Sequence, residues 1–476
     1  MLFNSFHFLF FFIIVTIIYF LLPHNKKWIW LLISSCYFYM AFVPIYIVIL
    51  GFTIIVDYFA GRYIEAAQGK RRKFFLIVSL IANIGTLCVF KYFNFLNENF
   101  SFLLHGFGLK NPIPYLSILL PIGLSFHTFQ AMSYTIEVYR GNQKAEQHFG
   151  IYALYVMFYP QLVAGPIERP QNLLHQFREK HHFDSERVFD GLKIIIWGLF
   201  KKLVVADRLA IFVNGAYNYS DKQSSFSLFL ATIFFSFQIY CDFSGYSDIA
   251  IGTAKVMGFN LMPNFKRPIF ARSTGEFWKR WHISLSTWFK DYLYFPLGGN
   301  KVPVARRHFN LMLVFLISGL WHGANWTFVI WGGINGFYLV FAIIIKKQKE
   351  KFNKSLRINQ YSLLNTTLQI VMTFLLISFS RIFFRAGSIK QAGQIIKRIF
   401  SFNGWAINEG KTMIAYSLFA IAFLVMVEMR REFFPTSFSL SYHKSFLVRN
   451  AYFTFLILTI ILFGVFDGSQ FIYFQF

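Results

Sequence analysis

Long apolar runs recur along this chain, separated by short polar or basic breaks. The first is FHFLFFFIIVTIIYFLL (6–22) and the last is AYFTFLILTIILFGVF (451–466). Such runs approach the roughly 20 apolar residues that cross a bilayer core. The pattern places spans at 7–22, 28–42, 44–60, 74–90, 115–137, 188–206, 226–250, 309–345, 362–384, 413–429 and 447–466. It predicts an all-α polytopic membrane protein with about 11 transmembrane helices plus re-entrant segments. No internal repeat or low-complexity linker divides the chain, so 1–476 reads as a single integral membrane domain. The first run has no basic residue before it and reads as a retained span, not a cleaved leader.

Basic loops set the orientation. KRRK (70–73) and Arg62 form the densest early cluster, and the positive-inside rule puts them in the cytoplasm with Lys26 and Lys27. HQFREKHHFDSER (175–187) also belongs inside, which forces the apolar run 149–163 to enter and return without crossing. AGPIERP (164–170), with a glycine and two prolines, suits the exit of such a piece. The region 260–308 carries nine basic residues against two acidic ones, a net +7, and is expected to be cytoplasmic or interfacial. Segment 309–345 has basic residues at both ends and is long enough for a helical hairpin. The count leaves the last residues outside. It also leaves 381–411 outside despite six basic residues, which SIKQAGQIIKRIF accommodates as an amphipathic interfacial helix.

Composition narrows the class. Hydrophobic residues make up 56% of the 476 positions, Phe alone occurs 65 times, and charged residues are only 14%, against about 25% in soluble domains. The net charge of +25 follows from cytoplasmic loops. No nucleic-acid-binding motif interrupts the spans, so nucleic acid is not expected as a partner. The three cysteines lie far apart with no CxxC, and His181 and His182 have no carboxylate or thiol at metal spacing, so no metal site is expected.

Ionisable side chains inside spans are costly and mark candidate function. His322 in SGLWHGANW (318–326) lies 13 residues past Phe309, roughly 20 Å into the hydrocarbon at 1.5 Å per residue. Imidazole is suited to proton transfer near neutral pH. Gly319 and Gly323 remove bulk beside it, and Trp321 and Trp326 supply walls. A histidine bonded to a neighbouring helix, with glycines for packing, fits the same residues. His127 in LPIGLSFHTFQ is also deep, and a satisfied core histidine is the better reading there.

FWKRWHISLSTWFKDYLYFPLGG (277–299) sets His282 among Trp278, Lys279, Arg280 and Trp281. Such a cluster suits a nucleotide-type ligand, or simple anchoring at the interface. CDFSGYSDIAIG (241–252) puts Asp242 and Asp248 near the end of a span, to pair with the basic loop or to position substrate.

AGPIERP, CDFSGYSDIAIG, FWKRWHISLSTWFKDYLYFPLGG and SGLWHGANW, in this order and spacing, resemble the bacterial membrane-bound O-acyltransferase family. The nearest branch includes alginate and peptidoglycan O-acetyltransferases. The D-alanyl transfer protein of teichoic-acid modification is more distant. The resemblance covers nearly the whole chain. His127 departs from the pattern, where another aromatic is expected.

The resemblance implies a multi-helix fold with a thin protein floor, a cytoplasmic entrance and an extracytoplasmic funnel. It matches the family's catalytic histidine to His322 and its second motif histidine to His282. It implies no bound cofactor, with acetyl-CoA or another acyl-CoA as cytosolic donor. Trp278, Lys279, Arg280, Trp281, Asp242, Asp248, Trp321 and Asn325 fall within the motifs as substrate-binding positions. The setting it implies is the bacterial cytoplasmic membrane, with an exported polysaccharide as acceptor, reached through a periplasmic or cell-surface SGNH-type partner. FIYFQF (471–476) resembles the branch's C-terminal aromatic motif, whose tyrosine, here Tyr473, is implicated as an acyl carrier. The same aromatics would also anchor the last span at the interface. The alternative from another class is a transporter or flippase for a lipid-linked sugar, although transport folds usually show internal repeats.

Overall fold

The computed structural model describes residues 1–117, 121–355, 362–407, 410–434, 445–466 and 471–472, and every regular element among them is helical. The chain forms two compact units, 1–195 with 249–262 and 196–248 with 263–476. Among the described residues, seven helices are long and apolar enough to cross a membrane: Tyr46–Ala66, Lys70–Gly106, Ser225–Met257, Trp326–Ile344, Leu363–Arg385, Thr412–Phe433 and Phe446–Phe463. Their outward faces carry bare apolar side chains, such as Leu364, Leu368, Val371 and Met372. Water would not tolerate such faces as a continuous surface, and lipid does. This is a multi-pass membrane protein.

Several expected spans take other forms, for local reasons. Within the run 115–137, the described helix begins at Leu124. Pro112, Pro114 and Pro121 precede it, and proline cannot continue a helical ladder. The run 188–206 is the helix Ser185–Leu199 passing into a π-helical stretch, Phe200–Ala206.

In the first unit, three helices meet around a buried carboxylate. Asp57 accepts hydrogen bonds from Ser79 Oγ at 2.6 Å and from Asn83 Nδ2 at 2.9 and 3.0 Å. Thr135 joins through Ser79 at 2.9 Å. A buried charge persists in an apolar interior only with such donors. The run 149–163 is broken. Helix Phe149–Met157 has nine residues, about 14 Å of length, which is under half a hydrocarbon core. It is followed by a short turn, Tyr159–Leu162, and the segment 150–166 is buried throughout. Gln130 and Gln161 both donate to the Tyr155 carbonyl, at 2.5 and 2.9 Å. Interrupted backbone at such depth needs satisfaction of this kind.

In the second unit, Val304–His322 and Trp326–Ile344 form the expected hairpin. A Cβ at Gly319 would lie 2.2 Å from the Phe328 carbonyl oxygen, and one at Gly332 would lie 2.2 Å from that of Phe315. The two helices approach this closely because neither position carries a side chain. Ile389–Phe400 is an amphipathic helix that buries Ala392 and Ile395 and exposes Lys390 and Lys397.

Candidate active site

His322 is the last residue of the first hairpin helix. Asn325 Oδ1 accepts the Thr327 amide at 2.9 Å and starts the second. Asn325, expected to bind substrate, is placed as this cap. His322 is therefore held at the hairpin tip, 3% exposed. His282 comes from the 260–308 region and precedes the helix Ile283–Phe289 with φ 43° and ψ 56°. Left-handed backbone is uncommon in a residue with a Cβ and persists only when its surroundings enforce it. Here Asn264 enforces it. Its carbonyl accepts the Ile283 amide at 2.9 Å, and its Oδ1 accepts the Ser284 hydroxyl at 2.9 Å. The result is an inward-turned His282, 1% exposed. Burial, and secondarily the nearby His322, hold its imidazole well below the usual histidine range.

The two histidine rings are neighbours, with centroids 6.4 Å apart and planes tilted by 52°. Trp331, Trp321 and Phe384 surround His322 at 5.0, 5.0 and 5.4 Å. Phe243 and Trp321 lie 4.6 and 6.1 Å from His282. One sequence-based expectation is met in part here and another fails. Trp321 stands beside His322, while Trp326 is 51% exposed. The hairpin turn ends one helix at His322 and starts another at Trp326, so the inward wall falls to Trp331. The space beside Gly319 and Gly323 is not open either. Phe328 fills it, and a Cβ at Gly323 would lie 2.2 Å from that ring. These glycines serve packing. His127 belongs to the first unit, and neither of its buried ring nitrogens has a hydrogen-bond partner among the described residues, contrary to a satisfied core histidine.

The expected substrate-binding cations separate into two kinds. Lys279 is exposed. Arg280 is tied to Glu276 at 2.6 Å and to Glu432 at 2.8 Å, which also pairs with Arg267 at 2.7 Å. Trp281 is buried and stacks on Phe277, while Trp278 packs edge-on against Phe315 and Trp331. The guanidinium of Arg381 lies 4.5 Å over the Trp281 ring. Sequence reasoning counted Arg381 only as a loop charge.

Asp242 and Asp248 do not pair with the 260–308 region. Their partners are Lys201 and Lys202, which sequence reasoning passed over. Lys202 Nζ is 2.7 Å from Asp242 and 2.8 Å from Asp207, with all three side chains buried. Lys201 Nζ is 2.7 Å from Asp248 and 2.9 Å from Ser244 Oγ. Two adjacent lysines can both turn inward because they sit in the π-helical stretch and because Gly245 lets the 225–257 helix close in. A Cβ at Gly245 would be 2.7 Å from the Gly198 carbonyl oxygen. The available signal was two charges inside an otherwise apolar run.

The tail reaches the same place. Phe471 is buried, stacked on Tyr246 at 4.6 Å and 5.5 Å from Phe243. The Ile472 amide donates to Asp242 Oδ2 at 2.7 Å. Tyr473 lies outside the described residues.

Comparison with known proteins gives consistent matches. The model of the MBOAT, membrane-bound O-acyltransferase family, matches residues 143–384. A probable alginate O-acetylase AlgI of Pseudomonas aeruginosa is 35% identical over 90% of this chain and 81% of its own. A peptidoglycan O-acetyltransferase of Helicobacter pylori is 34% identical over 79% of this chain and 74% of its own. A teichoic acid D-alanyltransferase of Bacillus subtilis is 25% identical over 69% and 82%.

Proposed function

The chain belongs to the membrane-bound O-acyltransferase family, and from that premise we propose that it carries an acyl group from cytosolic acyl-CoA across the bacterial cytoplasmic membrane to an exported polysaccharide. It is an O-acyltransferase. Acetyl is the group its alginate and peptidoglycan relatives point to, and their names point to alginate, another exopolysaccharide or peptidoglycan as acceptor. The supporting observation is one enclosure that holds His282 and His322 ring to ring, with the 471–472 segment docked on Phe243 beside it.

These positions support the following chemistry. Tyr473 directly follows the docked segment. His322 takes the phenolic proton as general base, and the phenolate oxygen attacks the thioester carbonyl. The C–S bond breaks, and the leaving thiolate takes the proton from the imidazolium. The products are free CoA and an aryl ester on Tyr473. His282, kept neutral by burial, offers a ring N–H to the carbonyl oxygen. Phenol has a pKa of about 10, so its ester is activated. A serine of an SGNH-type partner takes the acyl group and releases the phenol, and a sugar hydroxyl then takes it from the serine. Lys279, exposed beside Trp278, supplies a cation for the donor's phosphates.

The test uses membranes, labelled acyl-CoA and analysis of the glycan. His322→Ala is expected to lower transfer by a factor of about 10² to 10⁴ at unchanged abundance. Tyr473→Phe is expected to abolish it, and without the partner the acyl group is expected on the peptide containing residue 473 by mass spectrometry. Full activity of the Tyr473→Phe variant would reduce the aromatic segment to a membrane anchor.

A further inference from the structure

We propose that the Lys202–Asp242 pair, with Tyr246 and Phe243, is a docking slot for the chain's own 471–472 segment, and that it sets the register in which the next residue meets His322. The mechanistic consequence rests on reading Tyr473 as the acyl carrier. The docking itself does not.

Three observations carry the slot. Asp242 is buried and splits its oxygens between two donors: Lys202 Nζ at 2.7 Å on Oδ1 and the Ile472 amide at 2.7 Å on Oδ2. Phe471 lies over Tyr246 with an interplanar angle of 26°. Phe471 and Ile472 are both buried. The aromatic pocket selects the ring at 471, and the carboxylate selects a backbone N–H at 472.

The carboxylate contact fixes register because it reads the main chain. Successive Cα atoms are about 3.8 Å apart. A slip of one residue would keep an amide on Asp242 but carry the phenol about that far from its place. Misplacement of a reacting group by about 1 Å can cost a hundredfold. Lys202 and Asp242 are therefore positioning residues. Lys202 holds the carboxylate, the carboxylate holds the 472 amide, and the peptide link holds Tyr473.

Hydrogen exchange of the detergent-solubilised full chain tests this at the 471–476 amides. Asp242→Ala is expected to speed exchange there by about tenfold or more, because a hydrogen bond to a charged acceptor is lost. Asp242→Asn keeps an acceptor oxygen and a balanced Lys202–Asp207 pair, and is expected to fall between Asp242→Ala and the natural chain. Ile472→Pro removes the donor together with the buried Ile472 side chain and leaves every buried charge in place, so it answers for any misfolding of the Asp242 variants, with Ile472→Ala, which keeps the donor, as its control. The proline variant is expected to release the segment and lower kcat while leaving KM for acyl-CoA unchanged. Unchanged exchange in both Asp242→Ala and Ile472→Pro would overturn the slot. Tyr473→Phe separates the two readings, since it keeps the slot. If it is fully active while Ile472→Pro frees the segment, the carrier reading fails and the slot stands. If it is inactive while Asp242→Ala and Ile472→Pro both leave exchange slow, the slot fails and the carrier reading stands.

Discussion

Lys202→Met isolates the energetics of the buried charges. Methionine keeps the length and most of the volume of the lysine stem, so little cavity opens. What remains is two carboxylates, Asp207 and Asp242, each previously within 2.8 Å of the ammonium and almost fully removed from solvent. Removing one partner of a buried ion pair costs about 3–5 kcal/mol, because the residual charge stays desolvated. Two carboxylates facing each other put this variant at the upper end of that range. Lys202→Met with Asp242→Asn leaves one charge and is expected to recover part of the loss. Adding Asp207→Asn leaves none and is expected to return stability to within about 1–2 kcal/mol of the natural chain, as buried triads replaced by neutral groups often do. Unfolding in mixed detergent micelles, followed by intrinsic fluorescence, gives the three free energies. A single variant as stable as the natural chain, or a triple variant no better than the single, would refute the electrostatic account.

Other variants probe separate features. Lys279→Gln is expected to raise KM for acyl-CoA with little change in kcat, whereas Arg280→Gln is expected to lower stability by leaving Glu276 and Glu432 short of a partner; steady-state kinetics and unfolding distinguish them. Gly319→Leu is expected to separate the hairpin and cost at least about 1–3 kcal/mol, read as loss of folded protein by size-exclusion chromatography, since its Cβ would meet the Phe328 carbonyl at 2.2 Å. Below about pH 6.5 the unfolded chain's imidazole at 282 binds a proton that the buried one refuses, so acid is expected to destabilise the protein through this group, with no such effect above that pH. His282→Phe is expected to flatten that part of the stability profile.

The sequence made some of this plain and hid the rest for definable reasons. The hairpin at 309–345 was legible because basic residues bracket a run too long for one span. The place of His322 at the inner end of the hairpin's first helix was legible because helical rise is fixed. The wall around it was legible in Trp321, a linear neighbour, but not in Trp331 and Phe384, which other helices bring in. A helix that stops at His322 and restarts at Trp326 turns Trp326 outward. The partners of Asp242 and Asp248 were misassigned because the nearest basic-rich stretch was the obvious candidate. Lys201 and Lys202 lie some forty positions earlier, in a run whose hydropathy alone marks it as a span. Nor does hydropathy register that this run changes from α- to π-helical turns, which is what lets both lysines face inward.

Charge balance explains why an uncharged peptide group completes the Asp242 site. Within the buried triad one ammonium serves two carboxylates, leaving one excess negative charge. A second cation would neutralise it, but at the further desolvation cost of burying an ion. A backbone N–H adds no net charge, and a carboxylate bound to it gains a charge-assisted bond without that cost. The site is therefore built for a main-chain donor in preference to a lysine or an arginine. The amide of Ile472 leaves the net charge of the triad unchanged. The same argument forbids proline at 472, where the buried side chain further favours an apolar residue.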